Sequence, residues 1–333
     1  MRKITIIVPA YNEEANLEAL YDALLPLMDG LMPRYTPEGS EAKPLDNYDW
    51  EVLMVNDGSR DRTLEIMAQL HQRDPRFRYL NLSRNFGKEN AMLAGFDYAT
   101  GDAAVIIDAD LQHPVATIPE MVYWWEQGYE DVYGKRLSRG RESWLRRRLS
   151  MSYYKMLQRS TRVDILPNVG DFRLLDRRAL DALRRLRETQ RYTKGMYAWI
   201  GFRKKEVLYS NLERYGGQSS FNLRGLCNLA VEGITSYTTA PLRLASVIGL
   251  LSAAAAMLYA LYFLIKTIAV GDDVQGFPTL IIAILFLGGC QLLAIGIIGE
   301  YLGRIFNETK RRPCYIVESY DGKPIDNSPQ TTF

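Results

Sequence analysis

The sequence is poor in the residues that build disulfide frameworks and transition-metal centres. Its three cysteines, Cys227, Cys290 and Cys314, make neither a CxxC pair nor an even set, which argues against a disulfide scaffold and fits a reducing compartment. Histidine is scarcer still. His71 and His113 are the whole supply, which excludes a histidine-rich metal site and a relay of several imidazoles. Carboxylates must hold any metal. An excess of one charge is also missing: 41 Lys and Arg stand against 39 Asp and Glu, a net charge of +2. Non-specific nucleic-acid binders need a global positive field, so nucleic acid is not an expected partner and any anionic ligand is met locally. The first apolar strand is followed by Pro9-Ala10-Tyr11-Asn12-Glu13-Glu14. The absence of GxGxxG there excludes a Rossmann oxidoreductase. The run before it, bearing Arg2 and Lys3, is too brief for a signal peptide, so the main domain is expected to stay cytoplasmic.

What the sequence does have is apolar material. With 333 residues, 47% of them hydrophobic, the chain can bury one large α/β core and carry a smaller appendage. Leu244 to Ile265 and Phe277 to Gly299 each run past twenty residues with no charged side chain, and roughly 20 helical residues cross about 30 Å of hydrocarbon. A pair of buried core helices is the alternative, although core helices seldom stay apolar on every face for so long. Asp272 and Asp273 lie between the two segments, Arg243 precedes them, and Arg304, Lys310, Arg311 and Arg312 follow. The positive-inside rule then gives a two-span hairpin in the cytoplasmic membrane with both ends cytoplasmic. Gly249, Ala253 to Ala256, Gly288, Gly289 and Gly296 permit close helix approach, within one chain or in a homo-oligomer.

Before residue 140, short apolar runs alternate with amphipathic stretches. Strands are expected at Ile4 to Pro9, Glu51 to Asn56, Phe77 to Leu82, Ala103 to Ile107 and Asp131 to Gly134. Helices are expected around Glu14 to Leu27, Thr63 to Arg73, Lys88 to Ala99 and Pro114 to Gln127. This pattern predicts an α/β fold with a mostly parallel sheet covered by helices on both faces, which binds ligands at the carboxyl ends of its strands. Gly30 to Asp49 reads as an inserted surface loop. Trp144 to Arg159 places Leu145, Leu149, Tyr153 and Met156 at helical spacing, with Arg146, Arg147, Arg148, Lys155 and Arg159 on other faces. That suits a helix lying in a membrane interface, and equally a surface helix with a solvated basic face. The domain reading is therefore a catalytic domain over 1–215, a juxtamembrane segment over 216–240, spans over 241–303 and a cytoplasmic tail over 304–333.

The chemistry concentrates after the strands. Asp108-Ala109-Asp110 ends the fourth apolar run, and in extended chain residues i and i+2 share a side, so both carboxylates can face one hard cation. Mg²⁺ or Mn²⁺ there would stabilise a departing diphosphate. The alternative for this DxD is a cap on the following helix. Asp57, in Asn56-Asp57-Gly58-Ser59-Arg60-Asp61, can accept from a base or ribose, while Asp61 can cap the helix from Thr63. Tyr11 can flank a base and Glu13 can take its donors. Lys135, Arg136, Arg139, Arg141 and Arg146 to Arg148 stand against Glu142 alone, and arginine forks suit phosphate.

The stretches VPAYNEE (Val8 to Glu14), VNDGSRDRT (Val55 to Thr63), LSRNFGKENAMLAGF (Leu82 to Phe96) and DADLQHP (Asp108 to Pro114), in that order, resemble a family 2 glycosyltransferase. More narrowly the chain resembles the polyprenyl-phosphate branch, relatives of dolichol-phosphate mannose synthase and of the bactoprenol glucosyltransferases. GDFRLLDRRA (Gly170 to Ala179), TKGMYAWIGF (Thr193 to Phe202) and IGEYLGRIFNETKRRP (Ile298 to Pro313) extend the likeness over nearly the whole chain.

The resemblance implies a GT-A fold, inversion at the anomeric carbon and a divalent cation, Mg²⁺ or Mn²⁺. It implies that glucose moves from UDP-glucose to undecaprenyl phosphate, with N-acetylhexosamine or an aminoarabinose derivative as alternative sugars. By position, Pro9, Tyr11, Glu13, Asp57, Lys88, Asp108 and Gln112 would bind the nucleotide-sugar, and Asp110 with Asp108 the metal. Asp171 matches an acidic residue near the acceptor that is a catalytic base in many relatives. A phosphate acceptor is already ionised at neutral pH, so Asp171 can orient it instead. Arg136 is the first candidate for the acceptor phosphate, with Arg139 and Arg141, while Arg146 to Arg148 would meet anionic membrane lipids. Arg214 and Ser219 lie in a stretch resembling the family loop that closes over the diphosphate. That loop often carries lysine after the serine, where this chain has Ser220. A processive polysaccharide synthase would carry QxxRW, which does not occur here. A non-catalytic scaffold would have lost Asp57, Asp108, Asp110 or Arg136, all of which are present.

Overall fold

The computed structural model describes residues 1–37, 45, 47–137, 169–189, 191–210, 240–270 and 276–325. The predicted interfacial helix at 144–159, most of the juxtamembrane segment, and Arg139, Arg141, Arg214 and Ser219 lie outside the described residues.

Among the described residues nine strands form one mixed sheet: β1 (Arg2–Ala10), β2 (Tyr48–Asn56), β3 (Phe77–Leu82), β4 (Ala103–Ile106), β5 (Asp131–Arg136), β6 (Val169–Asp176), β7 (Lys204–Tyr209), β8 (Val317–Tyr320) and β9 (Lys323–Pro324). Their order is β7-β5-β6-β4-β1-β2-β3-β8-β9. The block β3-β2-β1-β4 is parallel throughout. Between its strands run α1 (Leu17–Met28), α2 (Thr63–Arg73) and α3 (Lys88–Tyr98), and α4 (Ile118–Glu126) leads into β5. These were the elements predicted. Most boundaries move by one to four residues: β2 begins at Tyr48, so Tyr48 and Asp49 of the expected surface loop belong to the strand, and β5 runs on to Arg136. The helix after β1 starts at Leu17 because residues 13–16 are spent on a turn, with Asn16 N–H donating to the Glu13 carbonyl. The helix after β4 is preceded by a single 3₁₀ turn, Val115–Thr117.

The uninterrupted apolar run of β1 follows from burial on both faces. Ile4, Ile6 and Val8 join the core under α1, α2 and α4, and Ile7 joins the opposite core under α3. Gly95 of α3 sits so close to β1 that a Cβ there would lie 2.3 Å from the Ile7 side chain.

Past β4 the sheet changes direction. β6 runs antiparallel between β4 and β5, with Ile106 opposite Arg173 and Val132 opposite Leu174. Helices α5 (Arg177–Arg185) and α6 (Thr193–Trp199) follow it. The two long helices are α7 (Ala240–Val270) and α8 (Phe277–Thr309), of 31 and 33 residues. At 1.5 Å per residue each is about 45–50 Å long, enough to cross a bilayer. They pack on each other, Ser252 Oγ lying 3.9 Å from Cys290 Sγ. Leu250, Met257 and Leu292 are each about seven-tenths exposed, so these are not buried core helices. By composition and length together Phe286–Thr309 qualifies as a span, and Ala245–Tyr259 is a shorter apolar stretch.

Beyond α8 the chain returns to the nine-stranded sheet. β8 pairs antiparallel with the outer edge of β3 and turns back through β9. Asp321 accepts from Arg78 at 2.8 Å and from the Tyr79 backbone N–H at 3.0 Å. Val317 is buried in a cluster with Leu53, Val55 and Leu80.

Candidate active site

The predicted site residues described by the structure gather at the carboxyl ends of the parallel strands. The loop after β1 and the loop after β2 are stitched into one unit. Asn12, at a left-handed φ of 55° that asparagine tolerates, accepts from Arg60 N–H at 2.8 Å and donates its own N–H to Ser59 Oγ at 3.0 Å. Glu13 N–H donates to Thr63 Oγ1 at 2.8 Å, and its carboxylate accepts from Asn16 at 2.5 Å. Asp61 takes the Thr63 N–H at the start of α2, the role allowed for it. Tyr11 stands 41% exposed on this rim, whereas Pro9 is buried within β1 opposite Val55.

Asp57 is buried, and its oxygens accept the backbone N–H groups of Phe86 at 2.7 Å and Gly87 at 2.9 Å. Burial raises its carboxyl pKa, while those two bonds and Arg84 oppose the rise. The aspartate predicted for the nucleoside therefore also holds the strap 83–87 that leads into α3. A carboxylate has about four lone-pair positions, so a further donor can still be met. Gly58 explains the fit. Its φ is +65°, and a Cβ there would lie 2.4 Å from the Arg84 carbonyl carbon.

Lys88 opens α3 and occupies the centre of the site. Its Nζ lies 2.6 Å from Asp108 Oδ1 and 3.3 Å from Asp171 Oδ2. Because β6 is antiparallel to β4, its first residues stand beside the last of β4, which places Asp171 near Asp108. Burial would raise the Asp108 carboxyl, yet Lys88, His113 and Arg136 outweigh it and leave the pKa below the usual carboxylate value. Burial likewise opposes the Lys88 ammonium, but Asp108 and Asp171 hold its pKa above the ordinary lysine value. Lys88, expected on the nucleotide-sugar side, is thus the cation that joins Asp108 to Asp171.

Neither aspartate of the DxD caps the following helix. Asp110 is 8% exposed, and its Oδ1 accepts the Gln112 N–H at 3.2 Å across Leu111, whose φ is 60°. The Asp108 N–H donates to His113 Nδ1 at 3.3 Å. His113 stacks on Phe172 with ring centres 4.8 Å apart and meets Tyr209 edge-on. Burial lowers its pKa, so the ring is neutral and Nδ1 accepts. Arg136 donates through Nε to Tyr209 Oη at 3.1 Å, which sets its guanidinium on the same side as His113 and Asp108. Among the described residues no three His, Cys, Asp or Glu side chains gather into a complete ligand shell. Asp108 and Asp110 offer two sets of hard oxygen donors, which fits Mg²⁺ or Mn²⁺ completed by ligand oxygens and water.

Glu89 was not singled out from sequence. Its carboxylate accepts the Thr193 N–H at 3.0 Å, and burial, with Asp171 next, raises its pKa to about 7. Its place beside Lys88 in the stretch GKEN was the available signal. Tyr209 carried no local signal.

The family 2 glycosyl transferase model matches residues 5–184, more than half of the chain. The chain belongs to this family. A second model, the GtrB C-terminal hairpin, matches residues 240–305, which contain α7 and the greater part of α8. A glycosyltransferase of Synechocystis sp. is 42% identical over 96% of both chains. A putative glycosyltransferase of Bacillus subtilis, CsbB, is 41% identical over 95% of this chain and 91% of its own length. The bactoprenol glucosyl transferase of Shigella phage SfX is 41% identical over 95% of this chain and 99% of its own. This glycosyltransferase therefore matches its relatives across the hairpin as well as the catalytic domain.

Proposed function

We propose that this glycosyltransferase moves glucose from UDP-glucose to the phosphate of a polyprenyl phosphate, with inversion at the anomeric carbon. The observation that carries the reading is the Lys88-centred cluster. It joins Asp108 and Asp171, with Asp110 two residues past Asp108, in a protein similar over nearly its full length to a bactoprenol glucosyl transferase.

In the reaction an oxygen of the ionised acceptor phosphate attacks the anomeric carbon. The bond from that carbon to the donor diphosphate breaks, and its electron pair leaves with UDP. No proton has to be removed from the nucleophile, so Asp171 serves to orient rather than to deprotonate. Asp110 and Asp108 would hold a divalent cation whose charge stabilises the departing diphosphate. The loops carrying Tyr11, Glu13 and Asp57 bind the nucleoside, and Gln112 borders the diphosphate. Arg136 binds the acceptor phosphate, its fork fixed by Tyr209. Arg139, Arg141, Arg214 and Ser219 are assigned to the acceptor on sequence alone.

The hairpin anchors the enzyme in the cytoplasmic membrane, with the catalytic domain, the end of α8 and both termini on the cytoplasmic face. The pairing of β8 with β3 supports this topology, since a strand in the catalytic sheet cannot lie across the bilayer from it.

The test uses detergent-purified full-length protein, undecaprenyl phosphate, Mn²⁺ or Mg²⁺ and a panel of radiolabelled nucleotide-sugars. Label from UDP-glucose should enter the organic phase. Transfer from another donor alone would replace glucose by that sugar, and transfer from none would refute the reading.

A further inference from the structure

We propose that the strand following the second span is a working part of the donor half, and that Glu318 is a positioning residue for the loop Asn56 to Asp61. The proposal rests on reading that loop as the nucleoside site. β8 lies outside both matched regions, residues 5–184 and 240–305, so neither likeness assigns it a role.

The connection is a chain of side-chain amides running under the sheet edge. Asn81 Nδ2 donates to Glu318 Oε2 at 2.7 Å, Asn56 Nδ2 donates to Asn81 Oδ1 at 2.7 Å, and Ser59 N–H donates to Asn56 Oδ1 at 3.2 Å. Asn56 and Asn81 face each other across β2 and β3, 2% and 7% exposed. An asparagine amide can point either way, but an ionised carboxylate only accepts. Glu318 therefore turns the Asn81 NH₂ toward itself and leaves the Asn81 carbonyl for Asn56. Asn56 in turn presents its own carbonyl to the loop. The polarity of the whole chain is set from the tail.

A second contact reinforces the first. Ser83 N–H donates to the Ile316 carbonyl at 3.0 Å, tying down the start of the strap whose later residues donate their N–H groups to Asp57 and seat Gly58. Both supports of the nucleoside loop thus lean on a segment that begins where α8 ends. Anchoring in the membrane and donor binding are mechanically joined through β8.

The test compares UDP affinity by calorimetry, and KM for each substrate, in full-length wild type, Glu318→Ala, Glu318→Gln and Asp321→Ala. Losing one charge-assisted bond should raise the UDP Kd and donor KM of Glu318→Ala about tenfold, with the KM for lipid phosphate unchanged. Glu318→Gln, which keeps an accepting oxygen, should recover most of the loss. Asp321→Ala breaks the Arg78 and Tyr79 contacts at the far end of the strand. It should lower Tm without weakening UDP. A Glu318→Ala protein that binds UDP as the wild type does would overturn the proposal, as would equal weakening by Asp321→Ala or wild-type protein that binds no UDP. UDP binding without sugar transfer would instead fault the reaction assignment, and the linkage would still be read from the affinities.

Discussion

Replacing Glu89 by Gln should remove much of a pH dependence from the stability of this protein. The carboxyl group is partly buried, accepts the Thr193 N–H and sits among charged or titratable neighbours on three sides: Lys88 on its own helix, Asp171 from β6, and Arg191 and Tyr197 from the α6 segment. Burial first and Asp171 second raise its pKa from 4.5 to about 7. The native state therefore binds this proton more tightly than the unfolded chain. The resulting stabilisation is complete below about 4.5 and is lost as pH rises through about 7. At about 1.4 kcal/mol per tenfold change in proton affinity, the full loss would be about 3 kcal/mol. Partial exposure and the nearby cations reduce this to about 1.5–3 kcal/mol. Glutamine keeps the accepting oxygen and carries no charge. Thermal unfolding of both full-length proteins in detergent, followed by intrinsic fluorescence between about pH 5 and 8, should show the mutant gaining on wild type by several degrees as pH rises. Curves that stay parallel would refute the argument, because they would mean that Glu89 ionises in the folded protein as it does in water.

Asp110→Ala should lower turnover at least about a hundredfold by removing a cation ligand, and undiminished wild-type turnover in chelator would count against that role. Arg136→Ala should raise the KM for lipid phosphate more than that for UDP-sugar, whereas equal loss would move Arg136 to the donor side. A cysteine placed in the 271–276 connection, with the native cysteines replaced, should react with an impermeant maleimide on intact cells. Labelling only after permeabilisation would invert the topology.

Sequence reasoning reached the parallel half of the sheet with boundaries close to those observed. It identified Phe77–Leu82 and Thr63–Arg73 to the residue, because burial on both faces of a strand and on one face of a helix leaves its mark on adjacent residues. It also marked the loops where the candidate site residues gather, since parallel strands deliver their carboxyl ends to one edge. β6 was harder to read. Phe172 and Leu174 face one core, while Asp171 and Arg173 share the other face with Leu175. Buried polar residues there, including the Arg173–Asp131 pair at 3.0 Å, break the apolar signature of a strand.

By itself the sequence determined the element types of the parallel half, the two apolar helices and which loops carry carboxylates, all of which depend on residues near one another along the chain. Only the tertiary structure decided that Asp171 stands beside Asp108, that Lys88 bridges them, and that the chain after α8 returns to pair with β3. Those juxtapositions join residues as far apart as Arg78 and Asp321, 243 positions distant. Local periodicity says which face of a strand is buried. The choice of edge and direction comes from burying the whole sheet at once.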